Sequence, residues 1–129
     1  MEIVTENAVA LAWMGDALMT AKIREHLLSK GYRRPDDLQK RSTRYLSAKA
    51  QCQMLDKLEA DGFFTEDEST IVKRGKAARI HTKAKNANVH EYLEATALEA
   101  VIGYLYLYDH KDRLVLLLDR LAQLGDESL

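Results

Sequence analysis

Two carboxylates in this 129-residue chain stand apart from its other acids. Asp16 lies inside the apolar stretch ALAWMGDALMTAKI, residues 10–23, with Ala12 and Trp13 on the helical turn before it and Met19 and Thr20 on the turn after. Glu99 lies in EYLEATALEAVIGYLYLY, residues 91–108, flanked in the same way by Ala95, Thr96, Ile102 and Gly103. None of these neighbours carries a positive charge, whereas Asp112 has Lys111 and Arg113 beside it and Glu25 has Lys22 three residues back. Burying a carboxylate without a partner costs several kcal/mol, so each acid must find a cation from another helix, a metal ion or a proton. Gly15 and Gly103 sharpen the choice. A glycine in a helix interior costs roughly 1 kcal/mol against alanine, and its usual compensation is a close approach of two helices. If the two segments cross at these glycines, the carboxylates converge with oxygen ligands only, a donor set that selects a hard cation such as Mg²⁺ or Mn²⁺. Salt bridges from a third helix are the alternative that these residues leave open. His26, His81, His90 and His110 show no metal-ligand spacing and read as isolated surface side chains. Cys52, the single cysteine, reads as a buried thiol. The chain has no glycine-rich phosphate loop, no nucleophile elbow and no Cys/His pairing.

The elements that must position the two acids are helices throughout. Apolar residues recur at helical spacing over 7–30, and the segment closes at Gly31. The stretch RRPDDLQKRSTRYL predicts a second helix with Pro35 in its first turn and Asp36 and Asp37 complementing the dipole. Ser47 caps a third helix, AKAQCQMLDKLEAD, which stops at Gly62, and Thr65 with Glu68 forms a capping box at the start of EDESTIVKRGKAA. Residues 80–89 are polar, basic and aperiodic, which predicts a loop. Residues 91–108 are apolar on nearly every face and predict a central helix enclosed by the others. Asp109 is placed to cap a last amphipathic helix, KDRLVLLLDRLAQL, and GDESL reads as a fraying tail. With no strand alternation and no break in composition, the expectation is an all-α fold in one domain over residues 1–129. No apolar run approaches the ~20 residues of a membrane span and the N-terminal ten residues lack a basic region, which predicts a cytoplasmic protein.

The net charge of −1 argues at first against a polyanionic partner, but the charge is unevenly spread. Between residues 73 and 86, Lys73, Arg74, Lys76, Arg79, Lys83 and Lys85 stand without a single acid, a segment of +6 in a chain whose remainder is −7. Arg33, Arg34, Lys40, Arg41, Arg44 and Lys49 form a second cluster against Asp36 and Asp37. Affinity for phosphates comes from such local neutralisation and counterion release, so the segment 73–86 predicts a nucleic-acid face, with a merely solvated surface as the alternative.

The same residues resemble a known family. LAWMGDAL, residues 11–18, resembles the ribonuclease III signature, and ALEAVIGYLYL, residues 97–107, resembles the second acidic motif of that family, in the same order and at a similar separation. Closer still is the similarity to the Mini-III ribonucleases, the short branch without a double-stranded-RNA-binding domain. It is carried also by SAK at 47–49, FFTEDE at 63–68 and KRGKAA at 73–78. Where the full-length enzymes have two glutamates before the Gly-Asp pair, this chain has Val9 and Ala12, and where they have an aspartate before the second glutamate it has Thr96. The short branch is similarly reduced. The resemblance implies the helical ribonuclease III endonuclease fold, a homodimer and Mg²⁺-dependent hydrolysis of double-stranded RNA, with Mn²⁺ able to substitute and no organic cofactor. It implies 5′-phosphate and 3′-hydroxyl ends and 23S ribosomal RNA precursor as substrate. Asp16 and Glu99 would be the catalytic metal ligands, Lys49 and Thr96 their neighbours, Trp13 a dimer-interface aromatic, and the 73–85 cations the RNA contacts. The competing expectation is a silent relative, an RNA-binding or ribosome-assembly protein with the same helical dimer.

Overall fold

A computed structural model describes residues 7–79 and 88–128. Six helices follow in order: α1 Ala8–Ser29, α2 Pro35–Leu46, α3 Ala48–Ala60, α4 Glu66–Lys76, α5 Val89–Leu107 and α6 Lys111–Glu127. Their starts are those dictated by local chemistry. The Asn7 side chain accepts from Ala10 N–H, Ser47 from Ala50 N–H, and Thr65 with Glu68 closes a reciprocal capping box. α5 is the axis of the domain, packed by α1, α3, α4 and α6, and Ala97, Leu98, Ala100, Val101, Ile102 and Leu105 along it are fully enclosed. That is why its sequence is apolar all round: every face meets another helix.

Three local expectations need correcting. α5 starts at Val89 rather than Glu91, because Asn88 caps it by accepting from the N–H groups of His90 and Glu91. Asp109 does not cap α6. It takes the left-handed conformation, φ 61°, that closes α5, while His110 N–H returns to Leu105 carbonyl at 2.8 Å, so α6 begins without a side-chain cap. Nor does the C-terminus fray from Gly125. α6 continues through it to Glu127, and since a Cβ there would lie 2.1 Å from the Tyr45 ring, glycine lets that ring pack against the helix. Asp126 then accepts from the Tyr45 hydroxyl and from Lys30 Nζ at 2.8 Å, and pairs with His26 Nε2 at 2.9 Å. His26 is therefore a half-buried partner in a polar cluster rather than an isolated surface side chain. The expected local charge pairs also give way to tertiary ones. Lys22 bonds Asp119 at 2.6 Å, and Arg113 reaches the buried Glu68 with two hydrogen bonds of 2.6 and 2.9 Å. The expected 80–89 loop lies, up to residue 87, outside the described residues.

Candidate active site

α1 and α5 meet backbone to backbone. A Cβ on Gly15 would lie 1.7 Å from the Glu99 carbonyl oxygen, and one on Gly103 would lie 2.0 Å from that of Leu11. Neither carbonyl can give way without moving its helix, so the two glycines are the condition for this crossing. Asp16 follows Gly15 directly, and the crossing brings its carboxylate into hydrogen-bond contact with that of Glu99. Burial first, then the hydrogen bond to Asp16 and the repulsion of its charge, push the Glu99 carboxyl up to about 8, against a smaller opposing pull from the Gln51 amide. Burial beside Asp16 thus favours the protonated form of Glu99 when no cation is bound. Enclosure of both acids is not found: Asp16 is exposed at the mouth of the crossing, and Glu99 is the one drawn inward.

Gln51 has no place in the sequence expectation above. Its side chain is buried on α3, its Nε2 donates to Leu46 carbonyl at 3.0 Å, and it reaches the Glu99 carboxylate. Its Oε1 is buried and has no partner among the described residues. The signal was present in one dimension, since Gln51 shares the helical stripe of Met54, Leu55 and Leu58, all buried, and a polar residue on an apolar stripe invites the question of its partner. Lys49 is exposed and lines an outer groove with Arg44, Ser47, Gln53 and Ser128. The buried Thr96 hydroxyl donates to Tyr92 carbonyl at 2.9 Å and so is engaged within α5. Trp13 is 81% exposed, and Val9, one turn before it, is exposed as well.

The donor set fits a hard cation. It consists of two carboxylates, with neither nitrogen nor sulfur and with the unpartnered amide oxygen on the neighbouring Gln51, and a dication would relieve the repulsion that raises Glu99.

The basic residues divide. Lys73, Arg74 and Arg79 are exposed around the C-terminus of α4, and Arg74 and Arg79 line a cleft with Asn7, Ala8 and Val9. Lys76 is turned inward, bonded to Glu59 at 2.7 Å and 3.6 Å from Glu94, so its charge is already neutralised within the fold. Lys83 and Lys85 lie outside the described residues.

Comparison with known proteins agrees with this arrangement. Residues 9–110 match the ribonuclease III domain family. A Mini-ribonuclease 3 of Staphylococcus aureus is 41% identical over 121 residues, 94% of this chain and 90% of that protein. The Mini-ribonuclease 3 of Streptococcus pneumoniae is 44% identical over 108 residues, 84% of each. A solved structure from Fusobacterium nucleatum superposes with a TM-score of 0.75 at 32% identity, covering 87% of this chain and 88% of that one.

Proposed function

Because the chain belongs to the ribonuclease III family, with Mini-ribonuclease 3 proteins as its relatives, we propose that it is a metal-dependent endoribonuclease that cuts double-stranded RNA as a homodimer. Its residues 1–129 act as one cytoplasmic catalytic domain, and its task is to trim the ends of the 23S ribosomal RNA precursor. The observation that carries the reading is the hydrogen-bonded pair of Asp16 and Glu99 at the glycine-mediated crossing of α1 and α5. These two carboxylates would hold Mg²⁺, or Mn²⁺ in its place. When bound, the ion supplies an activated water and charge neutralisation for phosphodiester hydrolysis, leaving 5′-phosphate and 3′-hydroxyl ends.

The chain's own residues do the positioning. Gly15 and Gly103 set the separation of the two helices, and with it that of the carboxylates. Gln51, anchored on Leu46 carbonyl, orients Glu99 from the third side. Asp16 is exposed at the mouth, where a phosphate of the substrate can reach it. Lys73, Arg74 and Arg79, together with Lys83 and Lys85, contact the RNA backbone and read duplex shape and phosphates rather than bases. The exposed Trp13 and Val9 supply an apolar face for the second copy, so that each subunit cuts one strand. Among the described residues no helix is long and apolar enough to cross a membrane.

The test is cleavage of a long duplex RNA in Mg²⁺ by the wild type, Asp16→Asn and Glu99→Gln, with RNA binding followed in parallel. The proposal expects both variants to bind and neither to cut. A wild type that binds duplex RNA and precursor without cutting overturns it in favour of the silent RNA-binding relative.

A further inference from the structure

We propose that Cys52, His90 and Glu94 form a second metal site, one for Zn²⁺, where the first turn of α5 lies against α3, with Asp56 as the fourth ligand. A sulfur of Cys52, a ring nitrogen of His90 and a carboxylate oxygen of Glu94 all lie within 4.8 Å of one another, and Glu94 belongs equally to a second such group with Asp56 and Glu59. The placement follows from two spacings. Cys52 and Asp56 are four residues apart on α3, and His90 and Glu94 are four apart on α5, so each pair shares one helical face. Packing of α3 on α5 turns the two faces toward each other. Nothing in one dimension couples Cys52 to His90, which is why spacing leaves His90 looking solitary.

Glu94 is the residue that most needs a ligand. It is 5% exposed, its Oε1 lies 3.4 Å from His90 Nε2, and its buried Oε2 has no hydrogen-bond donor among the described residues. Lys76 Nζ pairs with that oxygen only at 3.6 Å, while its short hydrogen bond, 2.7 Å, goes to Glu59. Ion pairs this long offset only part of the cost of burying the carboxylate. Bound zinc holds sulfur at about 2.3 Å and nitrogen or oxygen at about 2.0–2.2 Å, which puts tetrahedral ligand atoms roughly 3.5 Å apart. The observed group needs only a small inward movement of side chains to reach that, and the exposed His90 is free to make it.

Thiolate, imidazole and carboxylate together suit Zn²⁺ and are refused by Mg²⁺. The oxygen-only pair of Asp16 and Glu99 has the opposite preference. Glu94 lies five residues before Glu99, about 140° around α5 by helical geometry, so the two sites occupy different sides of one helix. Burial, then the carboxylates of Asp56, Glu94 and Glu91, push the Cys52 thiol up, so it stays protonated without metal; a dication among those acids reverses the sign and deprotonates it. The bound ion would tie the start of α5 to α3 and take over from Lys76 at Glu94.

Cobalt(II) is the probe. It is titrated into the reduced protein carrying Asp16→Asn, which disables the oxygen site. We expect one ion per chain, a thiolate-to-cobalt charge-transfer band and intense tetrahedral d–d bands, all displaced by Zn²⁺. Cys52→Ser should abolish the charge-transfer band. His90→Ala, a substitution at an exposed residue that leaves the fold intact, should weaken binding about 100-fold and remove the rise in melting temperature that Zn²⁺ gives the unsubstituted chain. Absence of the charge-transfer band, a weak octahedral spectrum, or equal binding by His90→Ala would overturn the proposal.

Discussion

Gly15→Ala tests the crossing on which the candidate active site depends. The added methyl carbon would sit 1.7 Å from Glu99 carbonyl oxygen and 2.6 Å from its carbonyl carbon, where contacts below 3.0 Å are essentially never found. The obstacle is backbone, so no rotamer change relieves it, and α1 must withdraw from α5 by more than an ångström. Overpacking of this kind costs about 1–3 kcal/mol, occasionally more, and a rigid neighbour puts the cost at the upper end. Alanine returns about 1 kcal/mol of helix propensity. The net loss is about 2 kcal/mol, which for a domain of this size lowers the melting temperature by roughly 8 °C. The same displacement parts Asp16 from Glu99, and a misplacement of about 1 Å costs on the order of 100-fold in rate. The assay is thermal unfolding by circular dichroism together with duplex-RNA cleavage well below the transition, where the variant remains folded. A variant that melts within 2 °C of the wild type (a shift of less than about 1 kcal/mol) and cleaves at full rate would refute the crossing and the site built on it.

Three further outcomes follow from the same geometry. Burial opposes the charge on Asp126, but hydrogen bonds from Lys30, Tyr45 and His26 outweigh it and hold the carboxyl at about 2, below its ordinary 3.8. Its contribution is therefore complete above about pH 4 and is lost as pH falls through 2; discounted for its partial exposure it is about 1 kcal/mol, so Asp126→Asn should be less stable at neutral pH and show a flatter acid limb in urea titrations. Lys73→Ala should weaken duplex-RNA binding and reduce the salt slope by about 1, whereas Lys76→Ala should change the slope less, because Lys76 is already bonded to Glu59; filter binding over a range of KCl concentrations separates them. Trp13→Glu, at a residue 81% exposed, should leave the fold intact and move the particle from two chains to one in light scattering; an unchanged mass would remove Trp13 from the interface.

Local chemistry made much of this protein legible from one dimension. Ser- and Thr-capped starts, the proline of α2 and the all-round apolarity of α5 each act within a few residues, and each produced the element it foretells. The glycines were equally readable, since Gly15 and Gly103 are costly in a helix unless something approaches closely, and the closeness is found. What remained hidden was every relation between residues distant in sequence. Asp16 and Glu99 could be singled out as unpartnered, but only the way α1 crosses α5 decided that one is exposed and the other drawn inward, with the Glu99 carboxyl pushed up by burial and by Asp16. Charge counting treated Lys76 as one more cation of a basic run, yet packing turned it toward Glu59 and Glu94. Gln51, the Asp126 cluster and the juxtaposition of Cys52 with His90 have the same cause. A helix's sequence declares which of its faces is buried, because burial is a property of each residue; it does not declare what that face meets, because that is set by the packing of all six helices at once.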